Sequence, residues 1–318
     1  MLYKEVKEKE LKGRSGSRFP VALKWENFSG GPEERYMICN AAEGEPFVSK
    51  DKHVLLTEPE RVVDGIKAVI KEFSIYHTFF YIRKDYFKIF GDTLQELFDD
   101  WKISFQLKED RYVAGEETSA ISSVEGKRAE PTEKPPFPTE AGINGFPTLV
   151  HNVETFYAIS EIKDGTYDHR RFYSIAGEVE NEGVFKLKNN LSITEILKET
   201  GNYPDFPFLV QAGGGAGGVF LSGRQLNVPW DGLGAVRVIK MSSFEKEKEL
   251  KRITQFLMHG NCDKCTPCRE GIYRINEMVE KEKLDDALFG EIILALEKSS
   301  YCPLGSTAAK VFKSIRDL

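Results

Sequence analysis

Hydrophobic residues in the first half of the chain form short apolar runs separated by segments with helical spacing. The runs RYMICNA, YHTFFYIRK and KISFQLK are typical of buried strands. Between them, apolar residues recur at helical spacing from His53 to Phe73 and again in DYFKIFGDTLQELFDD, which predicts helices. Because strands that alternate with helices usually form parallel sheets covered on both faces, we expect an α/β domain with a mostly parallel sheet over residues 1–160.

The pattern changes twice in the second half of the chain. The segments RRFYSIAGEV, NEGVFKLK and FPFLVQAGG are strand-like and surround one short helical segment, LSITEILKETG, which predicts a small α+β domain over residues 161–242. From residue 243 onward the spacing is helical in four amphipathic segments. We therefore expect a four-helix bundle over residues 243–318.

Composition and charge exclude several classes of protein. A hydrophobic fraction of 41% and a charged fraction of 30% are those of an ordinary soluble protein, and the net charge of −6 argues against nucleic acid as the main partner. No apolar run approaches the ~20 residues that span a bilayer, so direct membrane insertion is not expected. The charged start MLYKEVKEKELKG predicts a cytoplasmic protein. Because disulfides are rare in the cytosol, the five cysteines require another explanation.

Three of the cysteines lie at C-x2-C-x2-C spacing in HGNCDKCTPCREG, and a fourth is followed directly by proline. These residues are Cys262, Cys265, Cys268 and Cys302. The spacing is that of iron–sulfur proteins and predicts a [4Fe–4S] cluster. A structural zinc site is the alternative, although zinc sites more often use two separated C-x2-C pairs. Cys39 stands apart in an apolar run and is expected to be a buried core thiol.

Glycines near the N-terminus suggest a phosphate-binding loop. In GRSGSRFPVALKW, Gly13 and Gly16 permit close backbone approach, and Arg14, Arg18 and Lys24 add positive charge before a helix-compatible run. Taken alone, the segment is equally compatible with a basic surface loop.

Three further segments carry glycine or acidic residues. QAGGGAGGVF matches a dinucleotide fingerprint, but the residues that follow are not helical, so we interpret it as a turn of the small domain. The acidic segments CNAAEGEP and AGEETSAISSVEG are predicted to be loops after strand ends. They form either a solvated rim or a contact with ribose hydroxyls.

In order along the chain, these motifs resemble the NADH-binding flavoprotein subunit of respiratory complex I. Related subunits serve NAD-linked hydrogenases, formate dehydrogenases and electron-bifurcating complexes. The resemblance rests on GRSGSRFPVALKW, YMICNAAEGEPFVSKD, YVAGEETSAISSVEGKR, KPPFPTEAGINGFPTLVHNVET, SIAGEVENEGVFKL, HGNCDKCTPCREG and CPLGSTA, and it covers nearly the whole chain.

The resemblance implies a flavin domain, a β-grasp domain of the SLBB type and a cluster-binding helical bundle. It assigns the four cysteines of the last domain to [4Fe–4S]. Positions that contact FMN in the family are Gly13, Gly16, Lys24, Asn40, Glu43, Tyr112, Gly115, Glu116, Glu117, Val150, Asn152 and Thr155. Positions near the nicotinamide nucleotide, NADH or NADPH, are Phe19, Lys24, Glu45, Glu117 and Phe137.

The implied function is electron entry from NAD(P)H through FMN to the cluster, with no side chain acting as a catalytic acid or base. The implied partners are a thioredoxin-like [2Fe–2S] subunit and a larger iron–sulfur or metal-active-site subunit.

Five residues depart from the family's flavin and nucleotide motifs. They are Ser15, Ser17, Arg18, Ala42 and His151. Arg18 replaces a glycine, so its guanidinium either blocks the nucleotide or pairs with an extra phosphate such as NADPH carries. The departures leave an alternative function open, that of a relay or scaffold subunit that keeps the cluster but has lost flavin or nucleotide binding.

Overall fold

A computed structural model describes residues 1–28 and 34–318. Its first domain contains a sheet with the strand order β3-β2-β1-β4, and all three strand pairs of this sheet are parallel. The strands are β1 (Tyr36–Ala41), β2 (His77–Ile82), β3 (Ile103–Leu107) and β4 (Thr148–Asn152). The helices of this domain are α1 (Leu2–Glu8), α2 (Val21–Phe28), α3 (Lys50–Thr57), α4 (Pro59–Phe73), α5 (Lys84–Phe98), α6 (Glu117–Val124) and α7 (Val153–Lys163).

The predicted α/β architecture is confirmed, with corrections to single elements. The helical pattern that ends at Phe73 belongs to two helices, because Pro59 cannot continue a helix and instead occupies the first position of α4. The segment AGEETSAISSVEG was expected to be a loop, but it contains α6. Glu116 begins that helix by accepting hydrogen bonds from the backbone amides of Thr118 and Ser119.

The strand order places a crevice at one edge of this sheet. From β1 the chain continues to β2 and β3 on one side, whereas β4 returns to the other side of β1. The order therefore reverses between β1 and β4. In open α/β sheets, ligands bind at the carboxyl ends of the strands that flank such a reversal.

The middle of the chain forms a mixed sheet with the strand order β6-β5-β9-β7-β8. Its strands are β5 (Arg170–Gly177), β6 (Gly183–Lys188), β7 (Phe208–Ala212), β8 (Val219–Leu221) and β9 (Ala235–Lys240). Helix α8 (Ile193–Glu199) buries Ile193, Ile196 and Leu197 against this sheet. The predicted combination of strands with one helix is confirmed, while β8 and β9 were not anticipated.

The last part of the chain is helical, as predicted. Its helices are α9 (Lys246–Gly260), α10 (Tyr273–Glu280), α11 (Asp286–Ser299) and α12 (Pro303–Arg316). A π-helical turn, Pro267–Ile272, leads into α10. Such turns are rare and often occur at functional sites. None of the described helices combines the length and the apolar character that crossing a membrane requires.

Candidate functional site

The four predicted cluster ligands come together at one end of the helical domain. Cys262 and Cys268 are buried, whereas Cys265 and Cys302 are half-buried. Burial raises the pKa of the Cys268 thiol, and the proximity of the other three thiols raises it further. Cys302 lies at the N-cap of α12; burial raises the pKa of its thiol to about 11, and the Leu304 amide at the helix start opposes this rise.

Gly305 leaves space beside the thiols because it has no side chain. A Cβ at Gly305 would lie 1.9 Å from Ser300 Oγ and 3.2 Å from Cys268 Sγ, so a side chain there would enter the cradle of the thiols. This four-thiol donor set fits an iron–sulfur cluster. Zinc also accepts four thiolates, but the C-x2-C-x2-C spacing of three of these cysteines favours a cluster over a single ion. Cys39 is 0% exposed within the hydrophobic core of the first domain, as predicted.

At the crevice between β1 and β4, Lys24 links several predicted flavin and nucleotide residues. Its Nζ lies 2.8 Å from Glu117 Oε2 and 3.0 Å from the carbonyl oxygen of Val150. Lys134 Nζ lies 2.7 Å from Glu117 Oε1 and 3.0 Å from Glu116 Oε1. Although burial opposes ionisation, the two lysines lower the pKa of Glu117 to about 2. Sequence reasoning missed Lys134, although it lies inside the KPPFP motif.

The carboxyl ends of β1 and β4 hold two asparagines that belong to the predicted flavin site. Asn40 Nδ2 donates to the carbonyl of Gly115 at 3.0 Å, and Asn152 Nδ2 donates to the carbonyl of Asn40 at 3.3 Å. A Cβ at Gly115 would lie 3.3 Å from the carbonyl oxygen of Ala42, so glycine keeps this approach open. The Arg14 amide donates to Thr155 Oγ1 at 3.0 Å, which ties the glycine loop to the start of α7. These contacts bring four predicted flavin residues together at the ends of β1 and β4 and the start of α7, where open α/β sheets bind ligands.

A buried charge network lies behind this crevice, and sequence reasoning did not find it. Lys50 Nζ lies 2.5 Å from Asp51 Oδ1, 3.2 Å from Glu154 Oε2 and 3.1 Å from Asn152 Oδ1. Lys50 and Asp51 are each 2% exposed. Burial alone would lower the pKa of Lys50, but Asp51, Glu154 and Glu43 raise it above its usual value. The network fixes Asn152, whose Nδ2 also donates to Asp51 Oδ2 at 2.6 Å.

Glu43, a predicted flavin residue, directs its carboxylate to the start of α3. It accepts the amides of Asp51 at 3.0 Å and Lys52 at 3.3 Å, and it accepts the Tyr86 hydroxyl at 2.8 Å. Burial, followed by the charge of Asp51, raises its pKa to about 7. Its side chain therefore supports the crevice from behind by capping a helix.

Glu45, a predicted nucleotide residue, is bound by the glycine-rich segment of the middle domain. Its Oε2 accepts the amides of Ala216 at 2.9 Å and Gly217 at 3.1 Å, and its Oε1 accepts the Tyr112 hydroxyl. The segment is a turn without a following helix, as predicted. A Cβ at Gly214 would lie 2.5 Å from Glu45 Oε2, so this glycine is needed for the close approach.

The structure also places the two remaining predicted nucleotide residues and two of the five departures. Phe19 is 48% exposed and Phe137 is 52% exposed. Arg18 donates to Asp231 Oδ1 through Nε at 3.2 Å and Nη2 at 3.0 Å, across to the middle domain. His151 accepts an indole hydrogen bond in the core, and burial lowers its pKa to about 3, so the ring is neutral.

A nucleotide-type α/β domain combined with a four-cysteine helical domain is an arrangement of electron-transfer oxidoreductase subunits, and the chain is of this class. The family described as the Nuo51 FMN-binding domain matches residues 6–161, and the one described as the NADH-ubiquinone oxidoreductase-F iron–sulfur binding region matches residues 248–317. An NADH-quinone oxidoreductase subunit of Aquifex aeolicus (strain VF5) is 30% identical, over 97% of this chain and 82% of the relative. The chain therefore belongs to the same family as this NADH-quinone oxidoreductase subunit.

Other known proteins agree with this assignment. The NADP-reducing hydrogenase subunit HndC of Solidesulfovibrio fructosivorans is 29% identical, over 98% of this chain and 73% of the relative. A solved chain of an NAD+-reducing [NiFe]-hydrogenase has the same fold, with a TM-score of 0.91 at 24% identity. The match covers 99% of this chain and 60% of that chain. The predicted cofactors, FMN and a [4Fe–4S] cluster, agree with the two matched family regions.

Proposed function

We propose that this chain is the electron-entry subunit of a multi-subunit oxidoreductase. It binds a reduced nicotinamide nucleotide beside FMN and delivers the electrons to the [4Fe–4S] cluster. FMN supplies the chemistry that accepts two electrons together and releases them singly.

One observation carries the proposal: the segment from Tyr112 to Glu116 contacts both cofactor sites. Asn40 Nδ2, at the strand ends, donates to the carbonyl of Gly115 at 3.0 Å. On the other side, the ring of Tyr112 packs against Phe256 of α9 with centroids 5.2 Å apart. Burial raises the pKa of the Cys302 thiol to about 11, and the nearby charge of Glu116 contributes to this increase. A segment shared by the two sites supports direct electron transfer between them.

The chain's own residues then have binding and positioning roles. We assign FMN to the crevice between β1 and β4, with Lys24 supplying positive charge and Gly115 leaving space for close approach. The exposed rings of Phe19 and Phe137 are suited to stacking on the adenine of the nucleotide. Glu117, which stays ionised because of its two lysine partners, is suited to accepting hydrogen bonds from ribose hydroxyls.

The proposed function also suggests roles for the middle domain and for partner subunits. The mixed sheet with α8 is proposed to be a β-grasp domain of the SLBB type at residues 161–242, between the flavin domain and the cluster domain. A thioredoxin-like [2Fe–2S] subunit and a larger iron–sulfur or metal-active-site subunit would receive the electrons. Half-buried Cys265 and Cys302 support an exit on the surface of the helical domain.

Two of the departures point away from the crevice, which weakens the relay alternative. Arg18 turns to Asp231, and His151 lies in the core on the opposite face of β4 from Val150. Neither side chain occupies the space between the ends of β1 and β4.

The test is to purify the protein anaerobically, assay flavin and iron, and record the visible spectrum after adding NADH or NADPH. We expect FMN, on the order of four iron atoms per chain, and bleaching by a nucleotide. The variant Cys302→Ser serves as a matched control, because it should lose iron while the nucleotide still bleaches the flavin. Absence of flavin, with no bleaching after FMN is supplied, would instead establish the relay function.

A further inference from the structure

The contact between the glycine loop and the middle domain concentrates positive charge around a single carboxylate. Asp231 Oδ1 accepts from Arg18 Nη2 at 3.0 Å, and its Oδ2 lies 2.6 Å from Lys12 Nζ. Burial lowers the pKa of the Arg18 guanidinium, and the nearby charges of Arg171 and Arg14 lower it further. Two cations thus contact this carboxylate, and two further guanidinium groups lie near Arg18.

Two of these cations are buried and incompletely paired. Arg14 and Arg171 are each 3% exposed. Arg171 Nη1 donates to the carbonyl of Gly232 at 2.8 Å and its guanidinium lies over the Tyr173 ring, 4.6 Å from the centroid, but its Nε and Nη2 have no hydrogen-bond partner within the described residues. Arg14 donates through Nη1 to Asn189 Oδ1 at 2.7 Å and through Nη2 to the Tyr167 hydroxyl at 2.9 Å and the Arg170 carbonyl at 3.1 Å, so only its Nε lacks a partner there. Buried guanidinium donors without acceptors are costly, so the arrangement favours an additional anion.

Asp231 has the properties of a replaceable counter-ion. Its side chain is 60% exposed, whereas the side chain of Arg18 beside it is 9% exposed. Because the carboxylate itself faces solvent, a ligand with higher charge and better geometry can displace it. A phosphate monoester offers about two negative charges and three acceptor oxygens, and guanidinium groups bind it in a bidentate manner.

The site also lies next to the residue assigned to the adenine. Arg18 directly precedes Phe19, and the Gly13 amide donates to the carbonyl of Phe19 at 2.9 Å. The phosphate that distinguishes NADPH from NADH is attached to the ribose that carries the adenine.

We propose that Arg18, with Arg14 and Arg171 behind it, binds the 2′-phosphate of NADPH in exchange for Asp231. The chain therefore prefers NADPH to NADH. This inference rests on the proposed electron-entry function, since it names the nucleotide of that same site.

The test measures binding of the fragments 2′,5′-ADP and 5′-AMP to the holoprotein by calorimetry, which does not depend on electron transfer. We expect 2′,5′-ADP to bind at least about 10-fold more tightly, the size of a charge-assisted phosphate contact. Arg18→Gly should abolish this preference without harming the fold, because residue 18 has a φ of 52°, which favours glycine. Asp231→Asn should strengthen binding of 2′,5′-ADP several-fold, because it removes the competing carboxylate.

Arg170→Gln is the matched control. It removes one positive charge next to Arg171, from a side chain that is 47% exposed. It should leave the preference unchanged. Equal affinities for the two fragments, or a preference that persists in Arg18→Gly, would overturn the proposal. Loss of FMN with retained riboflavin binding in Arg18→Gly would also overturn it, because the cations would then serve the flavin phosphate. If neither nucleotide bleaches the flavin, the electron-entry function fails, while the fragment affinities still decide the phosphate site.

Discussion

The buried lysine behind the flavin crevice offers a demanding test of the structure. Replacing Lys50 by Met keeps the length of the side chain but removes the positive charge that faces Asp51 at 2.5 Å and Glu154 at 3.2 Å. The two carboxylates are 2% and 3% exposed, so water cannot replace the ammonium group. Removing one partner of such a buried pair costs about 3–5 kcal/mol in free energy of unfolding.

The assay is urea unfolding of wild type and Lys50→Met, followed by a signal from the first domain. For a slope of about 2 kcal/mol per molar urea, the expected loss lowers the midpoint by on the order of 2 M. Lys84→Met is the matched control, because that lysine is 54% exposed and its carboxylate partner is 3.4 Å away. Its effect should stay below about 1 kcal/mol.

The pH dependence gives an independent signature. In Lys50→Met the buried carboxylates have raised pKa values, so the folded state binds more protons than the unfolded state. Stability of the variant should therefore increase as the pH falls from 8 towards about 5. Wild type already shows part of this behaviour, because the pKa of Glu43 is raised to about 7. The difference in free energy of unfolding between wild type and Lys50→Met should therefore be smaller at pH 5 than at pH 8. A difference below about 1 kcal/mol, or the same difference at both pH values, would refute the reasoning.

Three further predictions concern the cluster and the core. Cys302→Ser should lose most of its iron, whereas Cys39→Ser, at a position 0% exposed in the first domain, should retain it; equal iron contents would contradict the assignment. Gly305→Ala should lower iron content, because the new Cβ would lie 3.2 Å from a cluster thiol, while Gly290→Ala, which meets only a flexible arginine at 3.1 Å, should not. His151→Asn should weaken the dependence of the free energy of unfolding on pH in the acid range. Because the pKa of His151 is lowered to about 3, the free energy of unfolding of wild type should fall by up to about 1.4 kcal/mol per pH unit below about pH 6.5. If wild type and variant lose stability with the same slope in this range, the reasoning is wrong.

Local spacing was sufficient to predict much of the fold. Alternating strand and helix patterns indicated a parallel sheet, and cysteine spacing indicated the iron–sulfur site, because both signals lie within short stretches of chain. Helix α7 was missed for a physical reason: ten consecutive residues from Val153 to Ile162 are buried, polar residues such as Glu154 and Glu161 among them, so polarity does not separate a solvent face from a core face. Helix α6 was missed because a glutamate cap, rather than an apolar stripe, starts it.

The sequence by itself determined the class of the protein and most of its strands and helices, and it predicts four cysteines as the cluster ligands. Only the tertiary structure decided where the charged side chains point. Arg18 meets Asp231, 213 positions away, and Glu45 meets the amides of Ala216 and Gly217. Packing between domains determines such partners, because a charge binds whichever acceptor or donor the fold brings within hydrogen-bond distance. Sequence spacing carries no information about that proximity.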